Sequence, residues 1–118
     1  MNKFDFEKLD VYQKSLDLID NIYELFEKLP YRIQKSIGDN LLRAAMSVAS
    51  NIAEGSGRRG KKEKRHCFEI SQGSLYECIP SLTILHRKKR IKEEIFDQLY
   101  NDCATISRML SGLIRHFS

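Results

Sequence analysis

From Leu9 the apolar positions fall at Leu9, Tyr12, Leu16, Ile19, Tyr23 and Phe26, spaced alternately three and four residues apart. That heptad spacing predicts a helix with one stripe turned toward a partner helix. Asp10, with Gln13 three residues on, suits a capping box at its start. Leu29-Pro30 ends it, because a residue before proline is pushed out of the helical region. A second stripe runs through Leu41, Ala45, Val48, Ile52 and Gly55, and a third through Phe68, Ser71, Leu75, Cys78, Leu82 and Leu85. A fourth runs through Leu99, Ile106, Leu110, Leu113 and Phe117, with Cys103 near its seam. The predicted helices cover about 10–29, 36–55, 61–87 and 93–117. No stretch alternates with period two over a useful length, so the fold class is all-α. Four amphipathic helices on short links predict one domain over residues 1–118, an antiparallel up-down-up-down four-helix bundle. Isolated helices of this kind are marginal, so mutual packing must fix them.

Three details refine the picture. The second helix carries Ala44, Ala45, Ser47, Ala49, Ser50 and Ala53, small residues on more than one face, which suggests close approach by further copies as well as plain helix propensity. Pro80 removes one backbone bond from the third helix and predicts a kink between Tyr76 and Pro80. Folding the chain back around Gly60 pairs residues whose numbers sum to about 120. That register sets Arg43 against Glu77 as a pair fixing alignment, and Ser47 against Gly73 as a close crossing. The same operation around residue 90 brings Cys78 near Cys103 as packed thiols.

Composition changes this picture less than charge does. Of 118 residues, 42% are hydrophobic and 31% charged, which excludes a disordered chain. Apolar runs are only a few residues long, so no transmembrane helix is expected, and acids after Phe4 argue against a secretory signal. The total charge is +4, but the stretch from Arg58 to Arg65 holds six basic residues against Glu63, and the stretch from Arg87 to Lys92 holds five against none. The remainder of the chain is therefore acidic. Clustering of this kind points to an anionic partner more than the total does, although basic runs are often simply solvated loops.

Motifs that look catalytic fail at the residues that matter. Gly55-Ser56-Gly57-Arg58-Arg59-Gly60-Lys61-Lys62 approaches a phosphate-binding loop, but Lys62 stands where the magnesium-binding hydroxyl belongs and a helix precedes it. Glu63-Lys64-Arg65-His66 gives one Glu-x-x-His, whereas di-iron bundles need two and further carboxylates. His86 and His116 have no metal-ligand spacing around them, so no metal or other cofactor is expected. Cys67, Cys78 and Cys103 suit reduced, buried thiols. An enzyme is not expected.

The first basic cluster has a stronger claim on function. Arg58, Arg59, Lys61, Lys62, Lys64 and Arg65 sit at a helix start, where cations oppose the dipole and free N–H groups favour phosphate. Arg87, Lys88, Lys89 and Arg90 sit at a helix end, where cations are favourable and folding alone explains them. Aromatics are sparse near both clusters, Phe68 belonging to the core pattern and Tyr31 to the first loop, so contact mainly to backbone and shape is expected, without base stacking.

The segment Phe6-Glu7-Lys8-Leu9-Asp10-Val11-Tyr12-Gln13, the Leu29-Pro30 step, the segment Arg43-Ala44-Ala45-Met46-Ser47-Val48-Ala49-Ser50-Asn51-Ile52-Ala53-Glu54-Gly55, and the segment Phe68-Glu69-Ile70-Ser71-Gln72-Gly73-Ser74-Leu75-Tyr76-Glu77 resemble the 23S rRNA-intervening-sequence protein family. The resemblance covers nearly the whole chain. It implies a bacterial antiparallel four-helix bundle, commonly a homopentamer, with no catalytic residues. A related group implied by it serves as basic accessory proteins of diversity-generating retroelements, binding a reverse transcriptase and nucleic acid. Its characteristic positions here are Arg43, Asn51, Glu54, Gly55, Gly73, Ser74 and Glu77, read as packing and subunit contacts. Cys78-Ile79-Pro80 departs from the usual polar helix, and His86-Arg87-Lys88-Lys89-Arg90 replaces a glycine-containing turn.

The expectation is therefore a cytoplasmic, non-enzymatic homo-oligomer that binds RNA or another nucleic acid through basic helix ends, with a reverse transcriptase as a further candidate partner and no membrane. The rival is a protein-interaction scaffold without a nucleic-acid role.

Overall fold

The computed structural model describes residues 3–118. Met1 and Asn2, part of the N-terminal stretch read above as lacking a signal, lie outside the described residues. Among those residues the chain is all-helical. A 3-10 turn at Asp5–Lys8 leads into α1 (Asp10–Glu27). After three linking residues a helical turn at Tyr31–Ile33 and a π-helical stretch at Gln34–Gly38 run directly into α2 (Asp39–Gly57). α3 (Lys61–Arg87) and α4 (Glu93–His116) follow. Among the described residues no helix is long and apolar enough to cross a membrane.

The stripe expected on α1 is displaced by one residue. The buried seam is Val11, Ser15, Leu18, Ile22 and Leu25, continued by Leu29. Tyr12 and Ile19 lie only at its flank, and Tyr23 is 52% exposed. One residue is about 100° of rotation, so the core-facing side differs from the expected one. Ser15 hid the true seam by interrupting its apolar run. Its hydroxyl donates to the Tyr12 carbonyl at 2.6 Å, so burial leaves no polar atom unsatisfied. The Asp10/Gln13 capping box does not form either. Asp10 is already helical, and the Gln13 amide donates to the Glu7 carbonyl at 2.8 Å instead.

Helical backbone resumes at Tyr31, earlier than the expected start near 36. Pro30 accounts for this: its carbonyl accepts from the N–H groups of both Ile33 and Gln34 at 2.9 Å, starting the helix at once. The Gln34 amide then donates to the Phe26 carbonyl at 2.8 Å, tying the new helix to the end of α1. Pro80 does not break α3, whose helical backbone is continuous on both sides of it.

Each helix packs on two neighbours: α1 on α2 and α4, and α3 on α2 and α4. The stripes read on α2 and α3 are buried throughout, and Leu99, Cys103, Ile106 and Leu110 supply α4's share. A fully buried Leu, Ile or Phe contributes about 1.5–3 kcal/mol, so this shared core holds together helices that would fray alone. Across α2 and α3, partner numbers fall in one helix as they rise in the other. The Ser47 and Ser74 hydroxyls lie 2.8 Å apart, and Ser71 donates to the Val48 carbonyl at 2.8 Å. The close crossing falls at Gly55, where an added Cβ would lie 2.9 Å from both Cys67 Cβ and the Phe68 ring. Gly73, expected to mark it, is exposed with open space over its Cα. Arg43 and Glu77 form no ion pair and are both exposed, so serine hydroxyls rather than opposite charges align this pair of helices.

Candidate nucleic-acid interface

The α2–α3 turn contains only Arg58, Arg59 and Gly60, so the first turn of α3 lies against the last turn of α2. A cation that opposes the dipole of α3 can therefore reach the negative end of α2. Lys64 does this. Its ammonium donates to the Ser56 carbonyl at 2.8 Å and lies 5.7 Å from the centroid of the Phe117 ring. Arg58 pairs with Glu54 one turn back, at 2.6 Å; this hydrogen bond, reinforced by the charge, holds the guanidinium above its ordinary pKa. Glu63 folds back over Gly60, and its carboxylate lowers the local positive charge. Arg59, Lys61 and Lys62 remain exposed, with Arg65 half-buried.

At the other end, α3 terminates in a Schellman motif without glycine. The Arg90 N–H donates to the Leu85 carbonyl at 2.9 Å and the Lys89 N–H to the His86 carbonyl at 3.0 Å. Lys89 occupies the left-handed position, φ 58°, where glycine is usual. Ile91 buries itself immediately after the turn, leaving Arg87, Lys88, Lys89, Arg90 and Lys92 exposed. Lys28 at the end of α1 faces Arg90 and Lys92 across a groove of about 390 Å³. Sequence reasoning passed over Lys28 because only the α1–α4 packing brings it here.

Rings that are distant in sequence also meet at this end. The His86 imidazole stacks on Phe96, centroids 4.4 Å apart and 12° from parallel. Phe96 in turn stacks on Tyr100, at 5.8 Å and 28°. The expectation that aromatics are sparse near this cluster is thereby corrected. The fold-back around residue 90 that pairs Cys78 with Cys103 would also have paired His86 with Phe96, and was the signal available. The two basic ends are separated by the 27 residues of α3, about 40 Å at 1.5 Å per residue.

Residues 7–112 match the family described as 23S rRNA-intervening sequence protein. The chain belongs to this family. A solved structure from Bacteroides thetaiotaomicron, described as a protein of unknown function from the S23 ribosomal protein family, is similar with a TM-score of 0.81 and 25% identity. The likeness covers 88% of this chain and 97% of that one. No curated protein matches the sequence.

The positions through which the sequence resembles the family lie on α2 and α3, Gly55 and Ser74 buried and Arg43, Glu54, Gly73 and Glu77 exposed. The Asn51 amide donates to the Ser47 carbonyl at 2.9 Å and to its hydroxyl at 3.1 Å, extending the Ser47–Ser74 contact. Glu54 holds Arg58, and Gly55 makes the close crossing. Arg43, Gly73 and Glu77 make no such contact and face solvent, together with the exposed side chains of Met46, Ile70 and Ile84.

The Cys78 and Cys103 thiols lie in the core. Burial pushes the Cys78 and Cys103 thiols up to about 12, so both stay protonated and behave as packing groups. Asp102, in a groove of about 410 Å³ between α1 and α4, has its pKa raised, chiefly by burial and further by Asp17, against the opposing effect of Lys14.

Proposed function

We propose that this protein is an antiparallel up-down-up-down bundle that assembles into a ring-like homopentamer and binds RNA or another nucleic acid through its basic ends. The observation that carries this reading is the α3–α4 turn, where Arg87, Lys88, Lys89 and Arg90 are all exposed and none is within ion-pair distance of a carboxylate among the described residues. Desolvated pairing with phosphate is the interaction such a cluster lacks internally. Arg59, Lys61 and Lys62 extend the same surface chemistry at the opposite end. A protein of this kind works in the cytoplasm without catalysing a reaction, and its narrower role is that of accessory subunit to a diversity-generating reverse transcriptase.

Charge removal tests it. Replacing Lys88, Lys89 and Arg90 together with Ala should weaken RNA binding about tenfold or more at low salt and flatten the log–log salt slope by about 2, at ~0.7 per phosphate contact on a single strand. The parallel Arg59/Lys61/Lys62→Ala variant should show a smaller loss; it spares Lys64, which is engaged within the protein. Parent protein whose RNA affinity ignores salt would exclude the reading. A monomer mass by light scattering at micromolar concentration would discard the pentamer.

The exposed Met46, Ile70 and Ile84 favour a second reading, a protein-interaction scaffold without a nucleic-acid role. The same salt titration separates the two.

A further inference from the structure

We propose that the α3–α4 end is a stacking platform for single-stranded nucleic acid, on which unpaired bases lie against Tyr100 and Tyr76 while the cations of the turn hold the phosphates. This rests on the nucleic-acid reading above and names the form of nucleic acid that the site takes.

Two independent observations meet here. The first is the ladder His86–Phe96–Tyr100, which starts in the residue next to Arg87 and runs one turn along α4 from Phe96 to Tyr100. Phe96 is itself one turn from Lys92, whose carbonyl accepts its N–H at 3.0 Å. The ladder therefore begins inside the basic turn and leads away from it. Tyr100 is 47% exposed, and Tyr76, 57% exposed, stands across a cleft of about 170 Å³ floored by Leu75 and Cys103. Both rings combine an apolar face with a wet edge, the form of side chain on which bases stack.

The second observation is how the turn uses its backbone. The N–H groups of Lys88, Lys89 and Arg90 all donate to carbonyls of α3, so none is free to hold an anion. Side-chain cations are left for that task, in a consecutive run on the surface. Flexible cations beside sequence-tolerant aromatic faces are the combination that binds single strands without strong sequence preference. In a duplex the base faces are covered by their neighbours, so rings on an open helix surface gain nothing from paired bases and only the cations would act. The ladder thus discriminates by strandedness, which charge alone does not.

The test uses fluorescence anisotropy of the full chain with a labelled, unstructured RNA of about 15 nucleotides and with the duplex of the same sequence. Tyr100→Ala should weaken single-strand binding by roughly 5- to 140-fold, the range that stacking on one aromatic gives. Tyr100→Phe keeps the ring face and should bind within about twofold of the parent, and neither change should move duplex affinity. Tyr76→Ala should weaken single-strand binding in the same sense. Each variant should keep the parent's thermal midpoint, because both side chains are exposed. If Tyr100→Ala binds the single strand like a parent that responds steeply to salt, the platform is overturned while the charge-based reading stands. If the substitution instead changes the mass in light scattering, the rings are a subunit contact and the proposal is overturned. A parent that binds neither nucleic acid overturns both.

Discussion

At the α2–α3 turn, Lys64 caps the carbonyl end of α2 and Arg58 is paired with Glu54; at the α3–α4 turn, the side-chain cations have no hydrogen-bond or ion-pair partner among the described residues. The two stretches carry the same formal charge in sequence. Helix electrostatics taken one helix at a time assigned function to the first and folding to the second. The three-dimensional arrangement supplies a folding role for part of the first stretch, Lys64 and Arg58, and leaves Arg59, Lys61 and Lys62 exposed. Cations that oppose the dipole of α3 complement the dipole of α2, because a three-residue turn lays the start of one helix against the end of the other. Charge counted along a chain therefore overstates charge available to a partner wherever two helix ends are adjacent.

Four substitutions sharpen or break that contrast. The largest effect is expected from Gly55→Ala, since its Cβ would meet Cys67 and Phe68 at 2.9 Å. Overpacking should lower stability by about 1–3 kcal/mol in denaturant unfolding, despite the better helix propensity of alanine. An unchanged midpoint would mean that the α2–α3 end is looser than the crossing implies. Lys64→Met removes the cap and the contact with Phe117 but keeps the apolar stem. It should cost about 1 kcal/mol and leave RNA affinity unchanged; a loss of affinity at constant stability would erase the distinction between the ends. Lys89→Gly should act in the opposite direction, raising stability by about 0.5–1 kcal/mol because glycine takes φ 58° without strain. The smallest effect is expected at Asp102, between the two ends. Its folded pKa is raised, so the native state binds more protons than the unfolded chain and stability falls as pH rises through the carboxylate range. Asp102→Asn should remove that fall and stabilise at neutral pH by less than about 0.5 kcal/mol, measured as the thermal midpoint against pH.

Much of the fold was legible because it is written in local periodicity. The stripes on α2, α3 and α4 could be read directly, since their buried positions are apolar or small almost without exception. On α1 the reading slipped by one residue, where Ser15 occupies a core position and the large rings of Tyr12, Tyr23 and Phe26 lie beside the seam. A serine that bonds its own helix's carbonyl is invisible to a hydrophobicity pattern. Register arithmetic placed Ser47 within one residue of its true partner, Ser74, but the pairing of Arg43 with Glu77 did not follow: both side chains point to water, where an ion pair contributes little. At the candidate interface the basic residues were evident and their environment was not. His86 and Phe96 are ten residues apart on different helices, and no window on one helix shows them stacked.

The sequence by itself determined the number of helices, the apolar faces of three of them and the placement of charge in two short stretches. These depend on spacing within a single helix, where 3.6 residues per turn translate order directly into direction. Only the tertiary structure decided which cations are engaged, that a lysine occupies a glycine's place in the turn, and that three rings line up beside it. The first and last depend on side chains reaching across a turn to another helix, over distances that packing, and not chain order, sets. The second depends on how the backbone closes the end of α3.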